Sequence, residues 1–153
     1  MFTVAVDDLT APDVVALLQL HLSAMDEYSP PEHVHALPIE HLRVPDVVFV
    51  AARHQGELAA IGALRLLGDG TGELKSMRAA PAWCGKGAGR AILDALLAEA
   101  RGRGLNWVGL ETGRAAAFAP AHRLYERHGF TDCAAFAGYE SGEHTRLMGL
   151  ALA

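Results

Sequence analysis

The chain has 153 residues, 51% hydrophobic and 20% charged, with a formal net charge of −5 at pH 7. That length suits one domain of ~100–200 residues, spanning 1–153, and that composition argues against disorder. The negative balance argues against nucleic acid as the main partner, because phosphate backbones are met by clustered Lys and Arg.

From the N-terminus, MFTVAVDDLT reads as a strand with Phe2, Val4 and Val6 on one face. It carries neither the basic stretch nor the apolar core of a signal peptide. Thr10-Ala-Pro-Asp opens a helix as cap, first-turn proline and dipole-facing acid, and Val14, Leu18, Leu22 and Met25 then recur on one face. SPPEHVHALP breaks that helix at Pro30 and Pro31, and a short helix follows around Ile39–Arg43. Val47–Arg53 and Glu57–Leu67 form an antiparallel pair around His-Gln-Gly, and Glu73–Ala79 continues as a strand after Asp69-Gly-Thr-Gly. Residues 87–102 are the clearest helix, with Ala88, Ala91, Ile92, Ala95, Leu96 and Ala100 as its stripe. A strand at Asn106–Glu111, a helix at Ala116–His128, and strands at Phe130–Ala135 and Thr145–Leu152 complete the chain. The order predicts one mixed α/β (α+β) layer structure around a central sheet.

No apolar run approaches the ~20 residues of a membrane span. Cys84 and Cys133 are the only cysteines and lack CxxC spacing, so neither a disulfide framework nor a metal centre is expected. His33 and His35 lie in a proline-bounded loop with no Cys or HxxxH pair beside them, so no metal site is expected there. A cytoplasmic protein without a membrane partner is expected. Charge is uneven along the chain, −7 over residues 1–70 and +2 over 71–153.

The basic half contains CGKGAGR, Cys84 to Arg90, between a strand and the clearest helix. A helix's first turn leaves its N–H groups unpaired at the positive end of the dipole, and glycines let a ligand approach the backbone. With Lys86 and Arg90 beside them, these amides suit a diphosphate. Lys86 is followed by Gly87 and not by Ser or Thr, so this is no P-loop; Gly85-x-Gly87-x-Gly89 also breaks the dinucleotide spacing.

Residues Glu73 to Phe130 resemble the GCN5-related N-acetyltransferases (GNAT). Cys84–Gly89 matches that family's Gln/Arg-x-x-Gly-x-Gly/Ala loop, with Arg90 following; Met77–Pro81 resembles its strand end and Leu124–Phe130 its LYxxxGF ending. SPPEHVHAL, ETG and FAPAHRLY extend the similarity toward a bacterial YsnE-like subgroup. The resemblance implies an acyl-CoA N-acyltransferase fold: a mixed, mostly antiparallel sheet of about seven strands, split near its middle and flanked by helices. It implies acetyl-CoA as donor, held by Gly85, Lys86, Gly87, Ala88, Gly89 and Arg90, with the backbone of Met77, Arg78 and Ala79 along its pantetheine arm. Two departures stand out. Cys84 occupies the position usually held by Arg or Gln, and Phe118 the place of an Asn that contacts the donor in many relatives.

Acetyl transfer needs a neutral amine, and a lysine-like amine at ~10.4 costs about 4.6 kcal/mol to deprotonate at pH 7. Glu73 and Glu111 are the candidate bases, and by resemblance Tyr125 is the proton donor to the leaving thiolate. Glu73 could instead simply pair with Lys75 or Arg78, and Glu111 with Arg114. Glu27, Tyr28, Glu32, His33 and His35 are expected to line the acceptor cleft, with a negative balance suited to a cationic amine. The leading expectation is a small-molecule amine acceptor. A protein lysine or N-terminus, or a CoA-binding sensor without catalysis, stays open, as does a homodimer through the final strand.

Overall fold

Val47–His54 and Glu57–Leu66 carry almost unbroken apolar runs, and they form β2 and β3 near the middle of the sheet. Strands covered on both faces need no polar alternation. Their two-residue turn places Gln55 and Gly56 at φ 50° and 84°, the positive values a tight hairpin demands. The computed structural model describes residues 1–28 and 39–152. Around the hairpin lie β1 (Thr3–Val6), α1 (Pro12–Tyr28), α2 (Ile39–Leu42), β4 (Thr71–Ala79), α3 (Ala88–Gly102), β5 (Trp107–Gly113), α4 (Ala119–Arg127), β6 (Thr131–Asp132) and β7 (Thr145–Ala151). The seven strands make one sheet in the order β1-β2-β3-β4-β5-β7-β6. Every pairing is antiparallel except β4 with β5.

Two apolar layers cover the sheet. On one face α3 buries Ile92, Leu93, Leu96 and Leu97 against Val48, Val50, Leu64 and Leu74, joined by Tyr125 and Phe130. On the other, Val14, Leu17 and Leu18 of α1 and Leu42 of α2 pack on Phe49, Ile61 and Ala63. Each large aliphatic side chain buried this way contributes roughly 1.5–3 kcal/mol.

The parallel pair is short. β4 and β5 pair from Thr71–Trp107 to Leu74–Leu110 and then diverge. Beyond that point Arg78 and Ala79 pair with Ile61 and Ala60 of β3, while Glu111 to Gly113 pair only with β7. A bulge accompanies the divergence: Ser76 sits at φ 57° and the β3–β4 register slips between Ile61 and Ala63. The extra residue shifts the parity of the strand. Lys75 lies opposite Ala63 and Arg78 opposite Ile61, both partners belonging to the α1-side core, so Arg78 shares a face with Glu73 and Lys75. Strict alternation would have put it on the other side.

Several expectations need correction. Thr10 does not cap α1; its hydroxyl bonds Asp8 Oδ1 at 2.6 Å, the helix begins at Pro12, and Asp13 accepts from the N–H of Val14. Val6 is 73% exposed at the end of an edge strand. The strand expected over Phe130–Ala135 shrinks to Thr131–Asp132, because Phe130 turns into the core against Tyr125 with ring centroids 5.8 Å apart. The final strand is not the edge of the sheet, since β6 pairs with its outer side at Gly149 and Met148.

α1 is tied to β4 by a polar contact inside the apolar layer, Arg78 Nε donating to His21 Nδ1 at 3.2 Å. Burial, reinforced by the Arg78 and Lys75 charges, pushes the His21 imidazole down to about 4. Between that value and its ordinary 6.5, the unfolded chain binds the proton and the native one does not. Stability therefore falls as pH drops through this window, by up to about 3 kcal/mol at ~1.36 kcal/mol per unit. Urea titrations at pH 7 and pH 4 should show the wild type losing about that much more than His21→Gln. A second outcome follows from the bulge: Ser76→Val, forcing a β-branched side chain into positive φ, should cost about 1–3 kcal/mol in the same titration, whereas Ser76→Gly should not.

Candidate active site

The divergence of β4 from β5 leaves a cavity of about 1360 Å³. Its walls run from Cys84–Arg90, past Leu124 and Tyr125 of α4, to Glu73, Lys75, Arg78 and His21 under α1.

At one end the glycine loop enters α3. Gly85 and Gly87 hold φ 74° and 89°, and Gly87 is the N-cap without any side-chain cap. The first intrahelical bond runs from the Ala91 N–H to the Gly87 carbonyl at 3.0 Å, so the N–H groups of Ala88, Gly89 and Arg90 precede it. A Cβ on Gly85 would meet nothing within 4 Å, and one on Gly87 only Phe2 Cε2 at 3.9 Å. Glycine is therefore required at Gly85 and Gly87 by backbone conformation and not by crowding, and the cavity reaches Gly87, Gly89 and Arg90. Uncapped N–H groups on a cavity wall fit a diphosphate.

Trp83 anchors this loop. Its Nε1–H donates to Glu57 Oε2 at 2.6 Å, and its ring packs edgewise on Phe2 and tilted against His54. Lys86 lies 5.6 Å from the Trp83 ring centroid and is not among the cavity-lining residues. Lys86 thus makes a cation–π contact with Trp83, and Ala88, fully buried, offers only its backbone. Gly85, Gly87, Gly89 and Arg90 line the cavity as expected, as do Met77, Arg78 and Ala79. Cys84 is exposed at the rim, its thiol donating weakly to the Ala80 carbonyl at 3.6 Å.

Tyr125 of α4 also lines the cavity. Its ring is 6% exposed, and burial pushes its phenol up to about 12. Phe118, in the place of the expected Asn, lines the cavity where a Cβ on Gly113 would fall 2.3 Å from its ring.

At the far end Glu73 is 1% exposed. Its Oε2 accepts from Lys75 Nζ at 3.0 Å, and Arg65 of the neighbouring strand approaches Oε1 at 3.6 Å. The expected alternative pairing with Lys75 is real, but it engages one oxygen; Oε1 has no hydrogen-bond partner among the described residues. Lys75 also donates to the Tyr139 hydroxyl at 2.9 Å, and burial followed by the Glu73 charge raises that phenol's pKa. Glu111 lines the cavity from β5, while Arg114 donates instead to the Gly142 and Thr145 carbonyls.

Of the expected acceptor residues, Glu27 and Tyr28 fall in the last turn of α1, where only the backbone is described. Glu32, His33 and His35 lie outside the described residues. The charged groups that are described at this end, Glu73 and Glu111 with Lys75 and Arg78, are balanced in sign. Sequence reasoning also missed His21, Trp83, Asp94, Arg123, Arg127, His128 and His144, all on the cavity wall. His21 could have been found as a histidine three residues after Leu18 on the apolar side of α1. Among the described residues no group of three or more His, Cys, Asp or Glu gathers as for a metal, and no helix is long and apolar enough to cross a membrane.

Known proteins share this arrangement. The acetyltransferase (GNAT) family model matches residues 14–130. The uncharacterized N-acetyltransferase YedL of Escherichia coli is 47% identical over 99% of this chain and 96% of its own length. The uncharacterized N-acetyltransferase YsnE of Bacillus subtilis is 44% identical over 95% and 96%. A crystal structure from Klebsiella pneumoniae, described as that of a candidate acyl-CoA N-acyltransferase, superposes with TM-score 0.79 and 31% identity over 99% of this chain and 98% of that one. A split sheet, an uncapped glycine loop and near full-length identity to named N-acetyltransferases agree: the chain belongs to the GNAT family of acetyltransferases.

Proposed function

We propose that this N-acetyltransferase transfers the acetyl group of acetyl-CoA to the amine of a small molecule by direct attack. One observation carries the reading: a single cavity is lined by the uncapped helix start at Gly87, Gly89 and Arg90, by the buried Glu73 carboxylate and by Tyr125. The acceptor end is deep, since Glu73 is 1% exposed. That depth suits a slender amine better than a folded protein surface.

Acetyl-CoA, when bound, supplies a thioester carbonyl open to nucleophiles. The remaining work falls to this chain's residues. The amides of Ala88–Arg90 hold the diphosphate, and the β4 edge released by β5 at Met77–Ala79 offers backbone groups to the pantetheine arm. Glu73 Oε1 receives the amine's proton through a water, while Lys75 fixes Oε2 and keeps the carboxylate oriented. The amine nitrogen bonds the carbonyl carbon, the carbon–sulfur bond breaks, and its electron pair stays on sulfur. A phenol at about 12 is a far weaker acid than a thiol at ~8.5, so full transfer from Tyr125 is uphill by about 5 kcal/mol. Tyr125 therefore holds its proton and stabilises the sulfur charge by hydrogen bonding; the ammonium proton lost before attack goes to Glu73, and the second proton, shed by nitrogen as it becomes the amide, completes the thiol. Aligning the reactants can contribute roughly 7–11 kcal/mol.

Thiol release and amine acetylation should be followed with acetyl-CoA and a panel of small amines beside peptides bearing a free lysine or N-terminus. Turnover of small amines is expected. Turnover of the peptides alone, or coenzyme binding without turnover of any amine, would contradict the reading. Tyr125→Phe should lower kcat about 10²-fold while leaving the KM for acetyl-CoA unchanged. Glu73→Gln should lower kcat similarly at pH 7, and its deficit should shrink as pH rises toward the amine's ~10.4, where the amine deprotonates unaided. Unchanged coenzyme affinity in a calorimetric titration confirms that this variant is folded.

A further inference from the structure

Arg123 and Arg127 stand one turn apart on α4, both exposed and both on the cavity wall. Like charges at this spacing repel and weaken a helix. Neither forms a hydrogen bond or ion pair among the described residues. The nearby acids are engaged elsewhere. Glu126 lies 3.5 Å from Arg146 of β7, and Asp94 of α3 bonds His128 Nε2 at 2.8 Å while lying 3.8 Å from Arg90. Two guanidinium groups on the cavity wall, one helical turn apart in sequence, thus have no counter-charge among the described residues.

The position of this pair narrows the choice of anion. α4 is set directly against the glycine loop, where a Cβ on Gly89 would fall 3.5 Å from Leu124 Cδ2. The diphosphate is already served by the amides of the loop. The donor carries one further phosphate, a dianionic monoester on the 3′ oxygen of its ribose, at the end of the molecule opposite the thioester. Planar guanidinium forks match the oxygens of such a phosphate. We propose that Arg123 and Arg127 form a phosphomonoester subsite for the 3′-phosphate of coenzyme A, so that this enzyme selects the 3′-phosphorylated donor over its dephosphorylated form. The inference rests on the reading of the cavity as a coenzyme A site.

Calorimetric titration of the full chain with coenzyme A and with 3′-dephospho-coenzyme A tests it without needing the acceptor. Wild type should bind the phosphorylated form about tenfold more tightly, the gain expected of a charge-assisted contact at a partly exposed site. In Arg123→Gln/Arg127→Gln that ratio should fall toward one, through weaker binding of coenzyme A alone. Arg101→Gln, on the exposed last turn of α3 and off the cavity wall, should keep the wild-type ratio. Equal affinity of wild type for both coenzymes, or an equal loss for both in the double variant, overturns the subsite but leaves the coenzyme site standing. Absence of binding by either coenzyme overturns both.

Discussion

The site exists because two neighbouring strands stop sharing hydrogen bonds. β4 and β5 pair through Leu74 and Leu110 and then separate, each keeping its other neighbour. Unpaired backbone inside a protein is costly, so such a gap persists only where solvent or a ligand satisfies its groups. The bulge at Ser76 bends β4 at the point of departure, and the same bulge turns Arg78 onto the face that carries Glu73 and Lys75. One local distortion thus opens the cavity and also furnishes its acceptor end.

The two ends of that cavity use different physics. The loop end depends on backbone dipoles, with left-handed glycines at Gly85 and Gly87 leaving the first-turn amides uncovered. It is held in place by the Trp83, Phe2 and His54 rings, so a residue just before the first strand contributes to a loop about half the chain away in sequence. The acceptor end depends on buried charge. Glu73 and Lys75 compensate each other at 3.0 Å, which makes burial of either tolerable, and the pair leaves Oε1 without a hydrogen bond, with Arg65 3.6 Å away. Nearby, His21 is kept neutral by burial and by cations, and bonds the Arg78 side chain as an acceptor.

Much of the fold was legible because long periodic segments carry their own signal. The stripe from Ala88 to Ala100 gave α3 to within one residue, and the apolar runs of β2 and β3 came within one. The loop was legible as an anion site from its glycines. Short elements were not. The β6 expectation failed because Phe130 is claimed by the core and because residues beyond Cys133 follow a turn through Ala137 and Gly138 at positive φ. Arg78's face was hidden because a bulge does not show in side-chain periodicity. Lys86 was legible as a cation of the loop, but its cation–π contact with the Trp83 ring was not.

Hydrogen–deuterium exchange with and without coenzyme A is the most direct test of the claim that the opened β4 edge and the uncapped start of α3 grip one ligand together. Slowed exchange in both segments, residues 76–80 and 85–91, with little change in β1, β2 or α2, is the result the account predicts. Exchange unaltered in these segments at saturating coenzyme, or slowed only in some other part of the sheet, would contradict it.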